Sequence, residues 1–166
     1  LTARSLGMPL AYVRGRQSFF HHEFLVEPGV LIPRPATELL VQTLLDHFDN
    51  QSLRIVDIGS GSGCISCSLA LARPNWHVDA IDPSPIARTV TQKNIDLHHL
   101  DGRVRVQNGS LLQNFNDPAD IFIANLPYLR TDQLSEPSIA HEPREALDGG
   151  SDGFRLIDQL LQQVTN

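Results

Sequence analysis

Residues Asn125-Leu126-Pro127-Tyr128 join an amide side chain, a rigid turn and an aromatic ring at the end of an apolar run, Ile121-Phe122-Ile123-Ala124. Such a run reads as a buried strand. An amide or exocyclic amino nitrogen is a poor nucleophile, because its lone pair is delocalised. Two acceptors gripping its N–H bonds fix its plane and favour the charge that develops on nitrogen. The Asn125 side-chain oxygen can be one acceptor and the Leu126 carbonyl the other. Pro127 biases Leu126 toward an extended backbone, which aims that carbonyl. The Tyr128 ring can stack on the planar group. Asn125, Leu126, Pro127 and Tyr128 are thus the candidate catalytic and substrate-binding residues, suited to a planar nitrogen in an amide or an adenine.

A second constellation lies upstream, in Asp57-Ile58-Gly59-Ser60-Gly61-Ser62-Gly63, where a strand turns into a helix. The dinucleotide fingerprint fails: its third glycine falls on Cys64 counted from Gly59, and on Ser66 counted from Gly61. No Gly-Lys-Ser/Thr follows, which excludes the phosphate loop of nucleotide hydrolases. The loop suits a ligand without phosphates. Asp57 is expected to hold an ammonium group, and the helix N-terminus behind Gly63 favours a carboxylate. Asp82 closes the next strand, 19 residues after Gly63, where a carboxylate can accept hydrogen bonds from both ribose hydroxyls. An amino-acid zwitterion plus a ribose is S-adenosylmethionine. Its sulfonium is already activated and leaves as a neutral thioether, so alignment is the protein's main task. Candidate cofactor-binding residues are Asp57, Gly59, Ser60, Gly61, Ser62, Gly63, Asp82 and Asn125.

The elements that must position these residues follow from periodicity. Residues 1–18 are polar and mixed. Phe19 to Ile32 reads as a β-hairpin turning at Glu27-Pro28-Gly29. Pro33-Arg34-Pro35 breaks it. A helix is expected from about Ala36 to Phe48, with Leu39, Leu40, Leu44, Leu45 and Phe48 as its apolar stripe. Strands then alternate with helices: strand Leu53–Ile58, helix Ser62–Ala72, strand Trp76–Ile81, and a helix from Pro85 to about His98 with Ser84 as N-cap. Strands Arg103–Gln107 and Asp120–Ala124 follow, then a helix from about Gly153 to Val164. That alternation predicts an α/β fold with a parallel, doubly wound sheet. Two parts are expected: a linker, hairpin and helix over residues 1–50, and a partial cofactor-binding domain over residues 51–166. Ile121–Ala124 is apolar on both faces, as central strands are, so further strands are expected after Asn166. The first residue is Leu1, as expected of a piece of a longer chain.

Bulk properties narrow the classes. The 166 residues carry a formal net charge of −6, with 13 basic residues spread along the chain. That balance argues against a protein held to nucleic acid by phosphate contacts. Arg103 and Arg105 alternate on a strand and read as a solvated face. No apolar run is long enough to span a bilayer, and no signal-peptide pattern opens the chain. Cys64 and Cys67 form C-x-x-C, but inside a helix after a glycine-rich turn, where they read as small buried residues. His21-His22 and His98-His99 lack the spacing of a metal site. Trp76 reads as packing. Cytoplasm is the default compartment.

Taken together, these segments resemble the HemK family of protein-glutamine N5-methyltransferases, in its release-factor branch. The resemblance covers nearly the whole chain. It includes Ala11-Tyr12 with Gly15, then Leu31-Ile32-Pro33-Arg34-Pro35-Ala36-Thr37-Glu38, similar to the family's L-I-P-R-P-x-T-E. It continues through Asp57–Gly63, Asp82 and Asn125–Tyr128. It ends on Glu142-Pro143, Ala146-Leu147, Gly149-Gly150 and Asp152-Gly153. The resemblance implies a Rossmann-like class I methyltransferase fold with strand order 3-2-1-4 and an N-terminal β-hairpin. It also implies S-adenosylmethionine as cofactor, with S-adenosylhomocysteine as product. The implied substrate is the glutamine amide in the Gly-Gly-Gln loop of peptide-chain release factors. Glu142-Pro143 would shape the site, and Ser110 and Leu111 would lie near the adenine.

The sequence departs from the family pattern at several places. Leu126 replaces the second residue of the usual N-P-P-Y, which loses a fixed φ but keeps the carbonyl. Asn108-Gly109-Ser110 stands where an acidic residue often follows the third strand. A helical N-terminal domain and three C-terminal strands are expected of the family and fall outside this chain. Two alternatives stand beside the glutamine reading. N-L-P-Y is typical of enzymes that dimethylate ribosomal-RNA adenines, so an adenine-N6 methyltransferase is one. A non-catalytic S-adenosylmethionine-binding fragment is the other. A ribosomal-protein glutamine is a variant of the first reading.

Overall fold

The computed structural model describes residues 7–49, 51–113 and 115–165. The ends of the expected 1–50 segment (residues 1–6 and 50), and the last residue of the chain, lie outside them. Eleven principal elements run in the order α1 (Leu10–Arg14), β1 (Arg16–Phe19), β2 (His22–Leu25), α2 (Glu38–His47), β3 (Leu53–Ile58), α3 (Cys64–Ala72), β4 (Trp76–Asp82), α4 (Pro85–Leu97), β5 (Val104–Asn108), β6 (Ile121–Ala124) and α5 (Arg155–Val164). Short 3₁₀ turns at Pro35–Thr37, Thr131–Gln133, Pro137–Ile139 and Arg144–Ala146 fill the connections.

Strands β3 to β6 form one parallel sheet in the order β5-β4-β3-β6. This is the 3-2-1-4 order the family resemblance implies. Alternation along each strand sorts side chains to two faces. Ile55, Val78, Ala80, Val104 and Ile123 point to one face, where they meet Val41 of α2, Cys67 and Leu69 of α3, and Ile95 of α4. Val56, Ile58 and Ile81 point to the other, where Leu156, Ile157 and Leu160 of α5 pack beside Leu111 and Leu126. β3 is buried on both faces, with Ile55, Val56 and Ile58 wholly inaccessible. Its neighbour β6 is an edge strand of the described sheet and leaves Phe122 exposed. Cys64 and Cys67 are buried free thiols, as their helical setting predicts. Trp76 is buried, and its indole N–H donates to the Gln51 carbonyl at 3.1 Å. Ser84 caps α4 by accepting from the Ala87 amide at 3.3 Å, with Pro85 in the first turn.

Two expectations are corrected. The hairpin spans Arg16–Leu25, earlier than Phe19–Ile32, and turns at Phe20-His21. Both turn residues have positive φ, 44° and 67°, a geometry that hairpin turns favour but that usually recruits Asn or Gly. The Phe19 and Phe24 rings stabilise it from inside the main core, meeting edge to face at 6.2 Å. Glu27-Pro28-Gly29 is a separate turn that follows, closed by the Val30 amide donating to the Glu27 carbonyl. Along α2 the stripe Leu40, Leu44, Leu45 and Phe48 packs on the core as expected, but Leu39 is 70% exposed and Val41 is buried in its place. Arg105 stands on a solvated face, as expected, with more than half of its side chain exposed. Its guanidinium pairs with Asp79 at 2.7 Å and Asp117 at 2.7 Å, and Arg54 pairs with the same two carboxylates. Arg103 donates to the Ala70 carbonyl. Among the described residues no helix is long and apolar enough to cross a membrane, and no group of three His, Cys, Asp or Glu could hold a metal ion.

Candidate active site

The loop after β3 is folded tightly against the end of β4. The Gly59 and Ser60 amides both donate to the Ile81 carbonyl, at 2.8 and 3.1 Å. Two side chains from α4 hold its carbonyls: Thr91 Oγ1 donates to Gly61 O at 3.0 Å, and Asn94 Nδ2 to Ser62 O at 2.8 Å. Asn94 also accepts from the Leu25 amide at 2.7 Å, tying the hairpin to the loop. Gly63, at the start of α3, faces Thr91 of α4. It sits at φ 76°, and a Cβ there would lie 2.7 Å from Thr91 Cγ2, so only glycine fits.

Asp82 is buried at the end of β4. Its Oδ2 accepts from the Gly61 amide at 2.9 Å and its Oδ1 from the Ser84 amide at 2.8 Å. Burial raises its pKa above the usual carboxylate value, against the opposing pull of those two amides and of Arg88. A carboxylate offers about four acceptor positions, so Asp82 keeps capacity for two hydroxyl donors.

Asp57 departs from expectation. It is wholly buried and does not border the cavity described below. Its Oδ2 accepts from both the Ser66 amide and the Ser66 hydroxyl, at 3.2 and 2.5 Å, so the side chain braces the first turn of α3 from behind the loop. Its Oδ1 has no partner. Burial pushes its pKa from 3.8 up to about 6, with the Asp82 charge adding to the rise. The folded state therefore holds this proton to a higher pH than the unfolded chain does. Its contribution to stability is full below pH 3.8 and is lost as pH rises through about 6. Asp57→Asn is expected to flatten the fall in stability across that window, read by denaturant titration at several pH values.

The loop, Asp82 and the end of β6 enclose a cavity of about 330 Å³, within the range of roughly 300–1,000 Å³ that small-molecule sites occupy. Gly59, Ser60, Gly61, Ser62, Asp82, Ser110, Leu111, Asn125, Leu126 and Pro127 all border it, and Gly63 does not. Val30, Pro33, Arg34 and Thr37 close it from the N-terminal side. A second cavity of about 270 Å³ shares Leu31, Arg34, Thr37, Asn125, Leu126 and Ala146 with the first. Tyr128, 63% exposed, borders only this second cavity. The shared wall at Asn125-Leu126 thus has one space on each side.

The wall is locally well determined. Asn125 Nδ2 donates to Thr37 Oγ1 at 3.2 Å, which leaves Oδ1 as its acceptor. Leu126 is buried against Ile58, Ile81 and Leu111, and approaches Gly59 closely. Burial of its side chain anchors the position where a second proline would fix φ. The next residues are pinned by a glycine-rich strip: the Leu129 amide donates to Leu147 O at 3.0 Å, the Gly149 amide to Leu129 O at 2.8 Å, and the Thr131 amide to Gly150 O at 2.9 Å. Glu142 is buried beneath the Pro-Arg-Pro segment. It accepts from the Ile32 amide at 3.0 Å and forms an ion pair with Arg34. Glu142 therefore shapes the wall, as the family resemblance implies. Glu142→Ala is expected to cost about 1–3 kcal/mol, mainly from the orphaned Ile32 amide, because the partly exposed Arg34 can be solvated. A shift in the denaturant midpoint at unchanged slope checks this.

Two residues that build the site carried no role in the sequence reading. Asn94 is a buried polar residue in a helix interior, a pattern that signals a side chain with fixed partners. Thr37 lies in the Pro-Arg-Pro segment, but its contact with Asn125 spans 88 positions.

A parallel sheet with a buried acid, a glycine loop and a cavity at its carboxyl edge defines a doubly wound α/β domain with a site at the ends of its strands. The chain belongs to the methyltransferase small domain family, whose profile matches residues 27–147. It is 36% identical over 169 residues to the release factor glutamine methyltransferase of Bacillus subtilis, covering 95% of this chain and 58% of the relative. It is 42% identical over 162 residues to the protein of the same name from Moorella thermoacetica, covering 95% of this chain and 57% of the relative. The chain thus spans less than two thirds of the length of these relatives. Among solved structures, the hMettl16 catalytic domain in complex with an RNA hairpin aligns at a TM-score of 0.64 and 16% identity, covering 83% of this chain and 54% of that one. That likeness concerns the fold.

Proposed function

We propose that this chain binds S-adenosylmethionine in the larger cavity and directs its methyl group to the side-chain amide nitrogen of a glutamine in peptide-chain release factors. The substrate rests on the 35–42% identity over most of the chain to relatives bearing that name. The chemistry rests on one observation: Asn125 stands in the wall shared by the two cavities, with Nδ2 committed to Thr37 and Oδ1 left to accept.

Asp82 would accept the ribose hydroxyls, Gly59–Ser62 would line the amino-acid end, and Ser110 and Leu111 would border the adenine. When bound, the cofactor supplies a methyl group on a sulfonium that needs no further activation. Asn125 Oδ1 and the Leu126 carbonyl would accept the two N–H bonds of the amide and hold its plane. Tyr128 would stack on the entering group from the second cavity. Asp57 would act from behind the loop through its charge. In this reading residues 1–50 supply one wall of the site and residues 51–166 the cofactor half. A release-factor substrate places the reaction in the cytoplasm.

The test uses labelled S-adenosylmethionine with the chain, a release factor and ribosomal RNA together. Label is expected on the release factor, and lost when its Gly-Gly-Gln glutamine is replaced. Label on RNA alone would overturn the proposal in favour of an adenine acceptor. No label on either would favour a binding fragment.

A further inference from the structure

A side-chain amide has two orientations that differ little in shape and completely in hydrogen bonding. With Oδ1 toward the acceptor, Asn125 can take an N–H from a substrate amide. Turned over, it would present its own N–H bonds to the substrate's, and the grip would be lost. What holds the Asn125 side chain at the wall therefore matters to the grip.

We propose that Thr37 is the positioning residue that holds the Asn125 side chain in the shared wall, through the hydrogen bond that its Oγ1 accepts from Asn125 Nδ2 at 3.2 Å. The inference rests on the glutamine reading above and adds a residue to it. Thr37 itself is held on both sides. Its amide donates to the Arg34 carbonyl at 2.9 Å, closing the 3₁₀ turn Pro35–Thr37. Upstream, buried Glu142 fastens Ile32 and Arg34. Downstream, Glu38 accepts from the Phe20 amide at 3.0 Å and moors the start of α2 to the hairpin turn. The hydroxyl therefore stands on backbone fixed at two points, one on each side of it. Thr37 borders both cavities, as Asn125 does.

The consequence is specific to the hydroxyl. Thr37→Val keeps the shape and removes the acceptor. It is expected to lower kcat about three- to tenfold, the worth of one net hydrogen bond, with a smaller change in cofactor affinity by calorimetry, since Thr37 also borders the larger cavity. Thr37→Ser restores most of the rate. In an Asn125→Ala background Thr37→Val causes no further loss, because the group it orients is gone. A structural readout stands apart from activity: in ¹⁵N-labelled chain, the Asn125 side-chain NH₂ signals move in Thr37→Val and return in Thr37→Ser. If Thr37→Val disturbs folding, Thr37→Ala serves in the same comparison. Unchanged Asn125 signals in the variant, or rate losses that multiply in the double variant, would overturn the proposal. Failure of the unaltered chain to label any glutamine would instead overturn the glutamine reading, and the NMR comparison would still decide the role of Thr37.

Discussion

Asn125→Ala is expected to lower the rate of methyl transfer about 10²–10³-fold, the loss seen when one preorganised partner of a developing charge is removed. The amide nitrogen of the substrate must give up resonance to attack, and the side chain that favours this is placed by the end of β6. Asn125 borders the larger cavity as well, so some loss of cofactor affinity is expected, no more than the roughly tenfold that one hydrogen bond is worth. The fold should survive, because the side chain is only half-buried and its one side-chain partner is a hydroxyl. Single-turnover rates, together with calorimetry on the same variant, separate the two effects. Equal losses in rate and cofactor affinity would place Asn125 on the cofactor side alone.

The second large effect is expected from Gly153→Ala, which touches neither cavity. Gly153 has φ 84°, and a Cβ there would stand 2.5 Å from the Tyr128 carbonyl oxygen. Neither the left-handed backbone nor that contact tolerates a methyl group. The segment from Tyr128 to Thr131 would have to move away from the strip at Leu147–Gly150 that pins it. A displacement of about 1 Å in a positioned group can cost about 10²-fold in rate, and strain of this kind costs about 1–3 kcal/mol in stability. The expected result is a folded, less stable protein that binds cofactor and transfers methyl groups poorly. Circular dichroism, calorimetry and turnover measured together check it. The same geometry gives a physical reason for the glycines that follow Ala146-Leu147: they let one backbone lie directly on another.

The parts of the fold governed by short-range rules were legible in the chain. β3 and β4 were marked by short segments rich in apolar residues, and α4 by Ser84-Pro85 at its start. The glycine loop and Asp82 were placed by their positions at strand ends, and the cavity forms around them. What escaped was set at longer range or against local preference. Phe20 and His21 make a hairpin turn that their residue types do not announce, so the hairpin turn was expected about seven residues too far along, at Glu27-Pro28-Gly29. Leu39 and Val41 differ by two positions on one helix, and only the packing of α2 on α3 decides which is inside. Asp57 sits where a ligand-binding acid was expected. The side chain of Ser66, nine residues on, turns it into a brace instead. The contacts of Thr37 with Asn125 and of Glu142 with Ile32 span 88 and 110 positions. No local pattern encodes such pairs, although the segments that hold them stood out by resemblance.

The most direct measurement is a crystal structure of the chain with S-adenosylhomocysteine and a peptide containing Gly-Gly-Gln. The ribose is expected on Asp82, and the glutamine side-chain nitrogen within about 3 Å of both Asn125 Oδ1 and the Leu126 carbonyl oxygen. A glutamine bound outside the wall shared by the two cavities, or one that turns its oxygen to Asn125, would contradict this expectation.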